Sequence, residues 1–365
     1  MTNVFQPEND GYEIDVPKEK RFLHTMAYDY SVQYLYELMK TGKIVLEVPF
    51  QRKQIWKTDK ASSLIESIIM NVPIPPLYFS EEEDGRWLVL DGLQRLSSIK
   101  NFYDNEFALN KLEVLGELNT KKYKDLPPKS KSLLDDGMLR VNVIKKDSHK
   151  DIKYDIFMRL NRGAVTLNYQ ELRNCLYRGN LNDAAKELCN ENLSFLRILK
   201  QKKPHQRYLD VEFIIRYFAI SDNIAIDSNG DVYLSGYKGK LVQYLNDYMA
   251  EHKDCTTEEK QAYKDRFNST IEKVTIVFGE DKAFRDISTD NTKIYKTIAD
   301  FVMPSLERMS LEYVTEQKEI IYNRLLSFLE NEEIKESLSK RTSDKDLVNL
   351  RLRMWFKEFG DAISL

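Results

Sequence analysis

At 365 residues the chain is long enough for two or so domains, each burying its own core, and 42% hydrophobic side chains are enough to fold, which excludes a disordered polypeptide. Its 55 Lys and Arg nearly cancel its 58 Asp and Glu, which excludes a global field of the kind that announces a nucleic-acid or acidic-substrate partner. Cys175, Cys189 and Cys255 form no C-x-x-C pair, which argues against a disulfide frame or zinc knuckle and for a reducing compartment, read as the cytoplasm.

Residues 1–28 read as a polar arm without an apolar signal core, and nowhere do enough apolar residues run together to predict a membrane span. "YSVQYLYELMKTGKIVLEV" then predicts a helix, a glycine turn and a strand from Ile44 to Val48. In "TDKASSLIESIIM", Ala61, Leu64, Ile65, Ile68 and Ile69 recur at helical spacing, so one face packs on a sheet. "NVPIPP" stops that helix, and "LYFSE" and "WLVLD" read as strands joined by the acidic turn "EEEDG". The second strand hands over at Asp91-Gly92, without a spacer, to a helix in which Leu93, Leu96, Ile99 and Tyr103 share a face. "MLRVNVIKK" adds a strand, and "DIKYDIFMRLNRG" and "LNYQELRNCLYRG" add helices around a glycine corner at Arg162 to Thr166. Beyond about residue 180 the periodicity is helical, as in "VEFIIRYFAI" and "NLRLRMWFKEF". The fold class expected is α+β: a mixed α/β domain over 29–180, preceded by the arm at 1–28, and an all-helical region over 181–365.

Four polar clusters carry the chemistry. Gln51, Arg52 and Lys53 sit between a strand end and a helix start, with Trp56 close behind. Arg52 reads either as a bidentate phosphate clamp or as a surface ion-pair partner, and Trp56 as a wall for a base or as core. Asp91, Gly92, Gln94 and Arg95 crowd the start of a helix whose first amides lack intrahelical partners, a ready anion site. Arg95 opposes the helix dipole there, and a bound anion would explain it; the other reading is a capped turn with an exposed arginine. The third cluster places Arg159, Asn161, Arg162, Glu171, Arg173 and Asn174 around the glycine corner, with Asn168 and Glu171 at capping-box spacing. Basic stretches at 121–131, 145–153 and 200–207 read as solvated loops or as contacts to a nucleic-acid backbone. His24, His149, His205 and His252 form no metal-binding or nuclease spacing, and no Walker loop or nucleophile elbow occurs.

Taken in order, "FQRKQIW", "LIESIIMNVPIPPLYF", "LVLDGLQRLSSIKNFY" and "IFMRLNRGAVTLNYQELRN" resemble the family named for the N-terminal domain of GmrSD-type restriction enzymes. Its fold is similar to ParB and sulfiredoxin, and its signature is Asp-Gly-Gln-Gln-Arg. The resemblance implies a component of bacterial defence against phage or foreign DNA that binds, and hydrolyses, a nucleoside triphosphate with Mg²⁺. Carried over by position, it implies that Asp91, Gly92, Gln94 and Arg95 are the signature, Gln51 and Arg52 an upstream pair, and Asn161, Gly163, Glu171 and Arg173 a downstream motif. In that scheme Gln51, Arg52, Asp91, Gly92, Gln94, Arg95, Asn161 and Arg173 bind the nucleotide. Asp91, Gln94, Arg95 and Glu171 act on it, and Asp91 or Glu171 carries the metal. The chain departs from the signature at Leu93, where the family has Gln, so binding without fast hydrolysis is one expectation. It also shows no His-centred nuclease motif after residue 180. The expected partners are DNA and a partner nuclease or other defence subunit, with a homo-oligomer left open and no membrane. The rival readings are a DNA-binding or scaffold module without catalysis and a stand-alone ParB-like nuclease.

Overall fold

A computed structural model describes residues 23–46, 56–148, 168–289 and 291–359, with Ile152, Lys153 and Ile156 besides. Two compact units divide between Asn168 and Tyr169. This is ahead of the boundary near 180 expected from the change in texture.

In the first unit the described elements are β1 (Thr25–Ser31), α1 (Val32–Lys40), β2 (Ile44–Val45), α2 (Thr58–Ile69), β3 (Leu77–Glu81), β4 (Trp87–Asp91), α3 (Leu93–Tyr103), α4 (Pro128–Asp135) and β5 (Met138–Ile144). The sheet order is β1-β5-β3-β4-β2. β1 pairs antiparallel with β5, β5 parallel with β3, β3 antiparallel with β4, and β4 parallel with β2. The mixed sheet expected for this region is therefore present. The polar arm drawn to residue 28 is too long, because Thr25–Ser31 forms an edge strand. Tyr28 and Tyr30 stack on each other with centroids 5.3 Å apart and lie 6.2 and 6.1 Å from the Trp87 ring. Aromatic burial on one face thus makes a strand of a segment that reads as polar.

Helix α2 buries all five aliphatic residues that its spacing singled out, Ala61, Leu64, Ile65, Ile68 and Ile69. At about 1.5–3 kcal/mol for each large aliphatic side chain, that stripe outweighs the helix's intrinsic propensity. The same helix buries Glu66, whose carboxylate accepts the backbone N–H groups of Glu113, Val114 and Leu115 at 3.2, 2.8 and 2.8 Å. One side chain therefore closes a long loop onto the core. Pro128 occupies the first turn of α4, where a missing N–H costs nothing, so part of the basic stretch 121–131 is helix rather than loop.

Among its described residues the second unit is helical apart from one short hairpin. Its elements are α5 (Tyr169–Leu176), α6 (Asn180–Glu191), α7 (Leu193–Ile198), α8 (Leu209–Asp222), β6 (Ile224–Ile226), β7 (Val232–Leu234), α9 (Leu241–His252), α10 (Thr257–Lys282), α11 (Lys296–Glu307), α12 (Leu311–Glu316), α13 (Lys318–Glu330), α14 (Glu332–Ser339) and α15 (Lys345–Lys357). Helix α5 groups here because it packs on α8 and α9. Helix α8 is buried nearly all round, from Asp210 to Ser221, and so forms the centre. Inside it, Arg216 forms a buried ion pair with Asp300, Nε to Oδ1 at 2.6 Å. Trp355 packs among Phe301, Phe328 and Phe359 and donates from its indole N–H to Ser305 Oγ at 2.9 Å. Cys175, Cys189 and Cys255 are all buried and none is in a disulfide, and burial pushes the Cys189 and Cys255 thiols up from their ordinary value.

Candidate functional site

The handover read from "LDGLQR" is real: β4 ends on Asp91, Gly92 is the helix N-cap, and α3 begins at Leu93. Gly92 has φ 101° and ψ 8°, a left-handed conformation. A Cβ built on it would lie 2.2 Å from Leu77 Cδ2 in the core, so only glycine fits. No side chain caps the helix, and its first intrahelical bond is Leu96 N–H to Gly92 O at 2.9 Å. The amides of Leu93, Gln94 and Arg95 therefore head the helix without i−4 acceptors, at the positive end of its dipole.

Arg95 does not reach toward an anion at that end. Its guanidinium is buried and turns back under the strand, donating from Nη1 to Pro75 O and from Nη2 to Pro76 O at 3.3 Å and Asp91 Oδ2 at 2.7 Å. Burial pushes its pKa down, opposed by Asp91. The reason an arginine stands against the helix dipole is thus the "VPIPP" segment: two prolines end a chain stretch with carbonyls aimed inward, and Arg95 supplies their donors. These contacts make Arg95 a clamp on β3, β4 and α3 and already engage the guanidinium that the resemblance assigns to phosphates. Its clamp also fixes Asp91, whose side chain is 43% exposed against 11% for Arg95.

Gln94 is the half-buried neighbour, and its Oε1 accepts the Trp56 backbone N–H at 3.1 Å. It anchors the chain entering α2. Trp56 is half-buried with Lys60 Nζ 4.3 Å from its ring centroid, so a cation already covers one face of the ring proposed as a wall. Leu93 is 8% exposed and joins Leu96 in the core, as its spacing implied. Gln51, Arg52, Arg159, Asn161, Arg162 and Gly163 lie outside the described residues.

Glu171 and Arg173 belong to the helical unit, on α5, and are both 1% exposed. Glu171 pairs with Arg207, Nη2 to Oε2 at 2.9 Å, so a cation already meets the carboxylate expected to carry Mg²⁺. Arg173 pairs with Glu212 at 2.6 Å, and Glu212 also takes Lys296 at 2.6 Å. Glu212 and Lys296 had no signal in the sequence, because each is far from α5 along the chain, and Arg207 read only as the end of the basic stretch 200–207. Of the basic stretches, Lys145 pairs with Glu81 at 2.7 Å and Lys146 approaches Glu83 at 3.8 Å, so the lysines at 145 and 146 serve the acidic turn after β3.

Among the described residues no three His, Cys, Asp or Glu side chains group as metal ligands, and no helix is long and apolar enough to cross a membrane. A magnesium ion that arrives on a triphosphate needs only one or two protein carboxylates, and half-exposed Asp91 beside the uncapped helix suits that demand. The donor set fits a nucleotide's phosphates through backbone amides rather than through Arg95.

No curated protein and no solved structure matches the chain. The helical unit beyond residue 178 lies outside any family match found. The turn at Asp91 to Arg95, together with "FQRKQIW" and the motif ending in Asn174, falls inside residues 35–178, which match the family model described as GmrSD restriction endonuclease, N-terminal domain.

Proposed function

We propose that this chain binds a nucleoside triphosphate with Mg²⁺ at the β4–α3 turn, as a component of a bacterial system that restricts phage or foreign DNA. The family match supports a role in restriction. The observation that carries the nucleotide is the pairing of an uncapped helix start with a half-exposed carboxylate that Arg95 holds in place. The amides of Leu93, Gln94 and Arg95 would take phosphate oxygens, and Asp91 would take the ion, which supplies charge neutralisation between phosphates. A second reading, binding with little turnover by a DNA-binding or scaffold module, is favoured by Leu93, which fills core where the family signature has a glutamine. A thermal-shift panel of the four common triphosphates with Mg²⁺ tests the proposal. A ligand at about a hundred times its dissociation constant adds about 2.7 kcal/mol. Asp91→Asn keeps the acceptor for Arg95 and should remove the Mg²⁺-dependent part of the shift. If no triphosphate moves the wild-type melt at millimolar concentration, the reading fails.

A further inference from the structure

We propose that the corner between α9 and α10 binds an organic cation with N–H donors, an alkylammonium or a guanidinium, and that Nε2 of His252 is the acceptor that anchors it. The corner encloses a cavity of about 430 Å³, bordered by buried Tyr263, half-buried His252 and the exposed carboxylates of Glu251, Asp254 and Glu259. It lies beyond residue 178, outside the family match, and does not depend on the reading of the β4–α3 turn.

A chain of hydrogen bonds decides which nitrogen of His252 carries the proton. It starts at Asp222, the last residue of α8, whose carboxylate accepts from Arg266 Nη2 at 2.6 Å and from the Tyr248 hydroxyl. Burial pushes the phenols of Tyr248 and Tyr263 up from their ordinary value, so each keeps its single proton. With the Tyr248 proton spent on Asp222, the Tyr263 hydroxyl, 3.2 Å away, donates to the Tyr248 oxygen. The Tyr263 oxygen must then accept, and what faces it is His252 Nδ1, also at 3.2 Å. Nδ1 therefore bears the hydrogen and Nε2 keeps a lone pair. The His252 ring also stacks on Tyr248 with centroids 4.3 Å apart, which holds its plane.

The cavity thus offers acceptors. Arg266 also borders it, but its guanidinium is shared between Asp222, at 2.6 Å, and Glu307, whose Oε1 takes Nε at 2.9 Å. Glu259 gives one oxygen to the Thr256 N–H at 2.7 Å and keeps the other. A bound anion would meet a lone pair and three carboxylates, whereas an ammonium or guanidinium can donate to Nε2 and be held by the carboxylates around it. Among the described residues no three His, Cys, Asp or Glu side chains group as metal ligands, which favours an organic cation over a metal ion.

The test uses the full chain with isotope-labelled histidine. Long-range proton–nitrogen spectra at about pH 8, above the ordinary histidine value, read which ring nitrogen is protonated, and the signal missing from His252→Phe or His252→Gln identifies His252. The expected wild-type form is Nδ1–H, and Tyr263→Phe, or Tyr248→Phe if the former does not fold, should move it toward Nε2–H. Spermidine and N-acetyl-argininamide are then titrated against tetramethylammonium at equal ionic strength. An N–H cation should shift the Nε2 signal saturably, and tetramethylammonium, which has the charge without the N–H, should not. By calorimetry, His252→Phe, which keeps the stack on Tyr248 and removes the acceptor, should weaken binding about tenfold or more. A response to spermidine alone identifies a free polyamine, and a response to N-acetyl-argininamide alone a basic side chain of a partner protein. An Nε2–H form in the wild type, no shift with either N–H cation, an equal shift with tetramethylammonium, or unchanged affinity in His252→Phe would overturn the site; the first three outcomes decide it even if that variant does not fold.

Discussion

Arg95→Ala tests the clamp directly. The substitution removes the donors for Pro75 O and Pro76 O and the partner of Asp91. Asp91 is exposed enough to regain water and contributes little to the loss, whereas the two carbonyls lose a charged donor on the buried side of the turn. Hydrogen bonds to charged groups contribute about 1.5–3 kcal/mol, and the truncation leaves a space where the guanidinium was, so a net loss of about 2–4 kcal/mol is expected. For a unit of this size that lowers Tm by roughly 5–15 °C. Urea unfolding read by tryptophan fluorescence in a Trp355→Phe background would measure it, since the remaining Trp56 and Trp87 belong to the first unit. Arg95→Lys keeps the charge without the planar fork and should recover less than about half of the loss. An alanine variant within about 0.5 kcal/mol of wild type that nonetheless loses its response to triphosphate would refute the clamp and return Arg95 to the ligand.

The carboxylate of Glu66 has its pKa lowered, because the N–H groups of Leu115, Val114 and Glu113 outweigh the opposing effect of burial. Its stabilisation is therefore fully present above the ordinary glutamate value and is lost as pH falls through the lower folded value; Glu66→Gln should cost about 1–3 kcal/mol at pH 7, with the gap to wild type closing in urea titrations below about pH 4. Leu93→Gln restores the family signature but buries a carboxamide, so a cost of about 1–3 kcal/mol is expected together with a gain in any phosphate release; unchanged or lower release would mean that position 93 is structural only. Purified chain should leave plasmid and modified phage DNA intact with Mg²⁺ or Mn²⁺ and each triphosphate, and nicking that survives purification but disappears in Asp91→Ala would promote the nuclease reading.

Local periodicity made the handover at Asp91-Gly92 and the buried faces of α2 and α3 legible, because burial repeats at helical or strand spacing within a few residues. What it could not convey was the partner of Arg95: the Pro75 and Pro76 carbonyls lie nearly a strand pair away in the chain, so the arginine read as a lone cation against a dipole. Glu171 shows the same limit, since spacing offered a capping box and the fold brought Arg207 to it. Two signals were present and missed. Met26, Tyr28 and Tyr30 alternate at strand period in β1. "IAIDSNGDVYL" places an Asn-Gly turn between apolar pairs, and it forms the β6–β7 hairpin, with Asp227 Oδ1 accepting the Asn229 and Asp231 N–H groups at 2.8 and 2.9 Å.

The burial of the three cysteines gives the helical unit its own clock. All of them lie at or beyond residue 175, and the first unit has none. A thiol reacts as its thiolate and only when exposed, so an aromatic disulfide reagent can modify Cys175, Cys189 or Cys255 only while the surrounding helices are open. The rate of colour release under native conditions then measures opening of the helical unit within the intact chain. In a Trp355→Phe background, Trp56 and Trp87 follow the other unit in the same cuvette, and a ligand that slows one signal and not the other declares which unit it occupies.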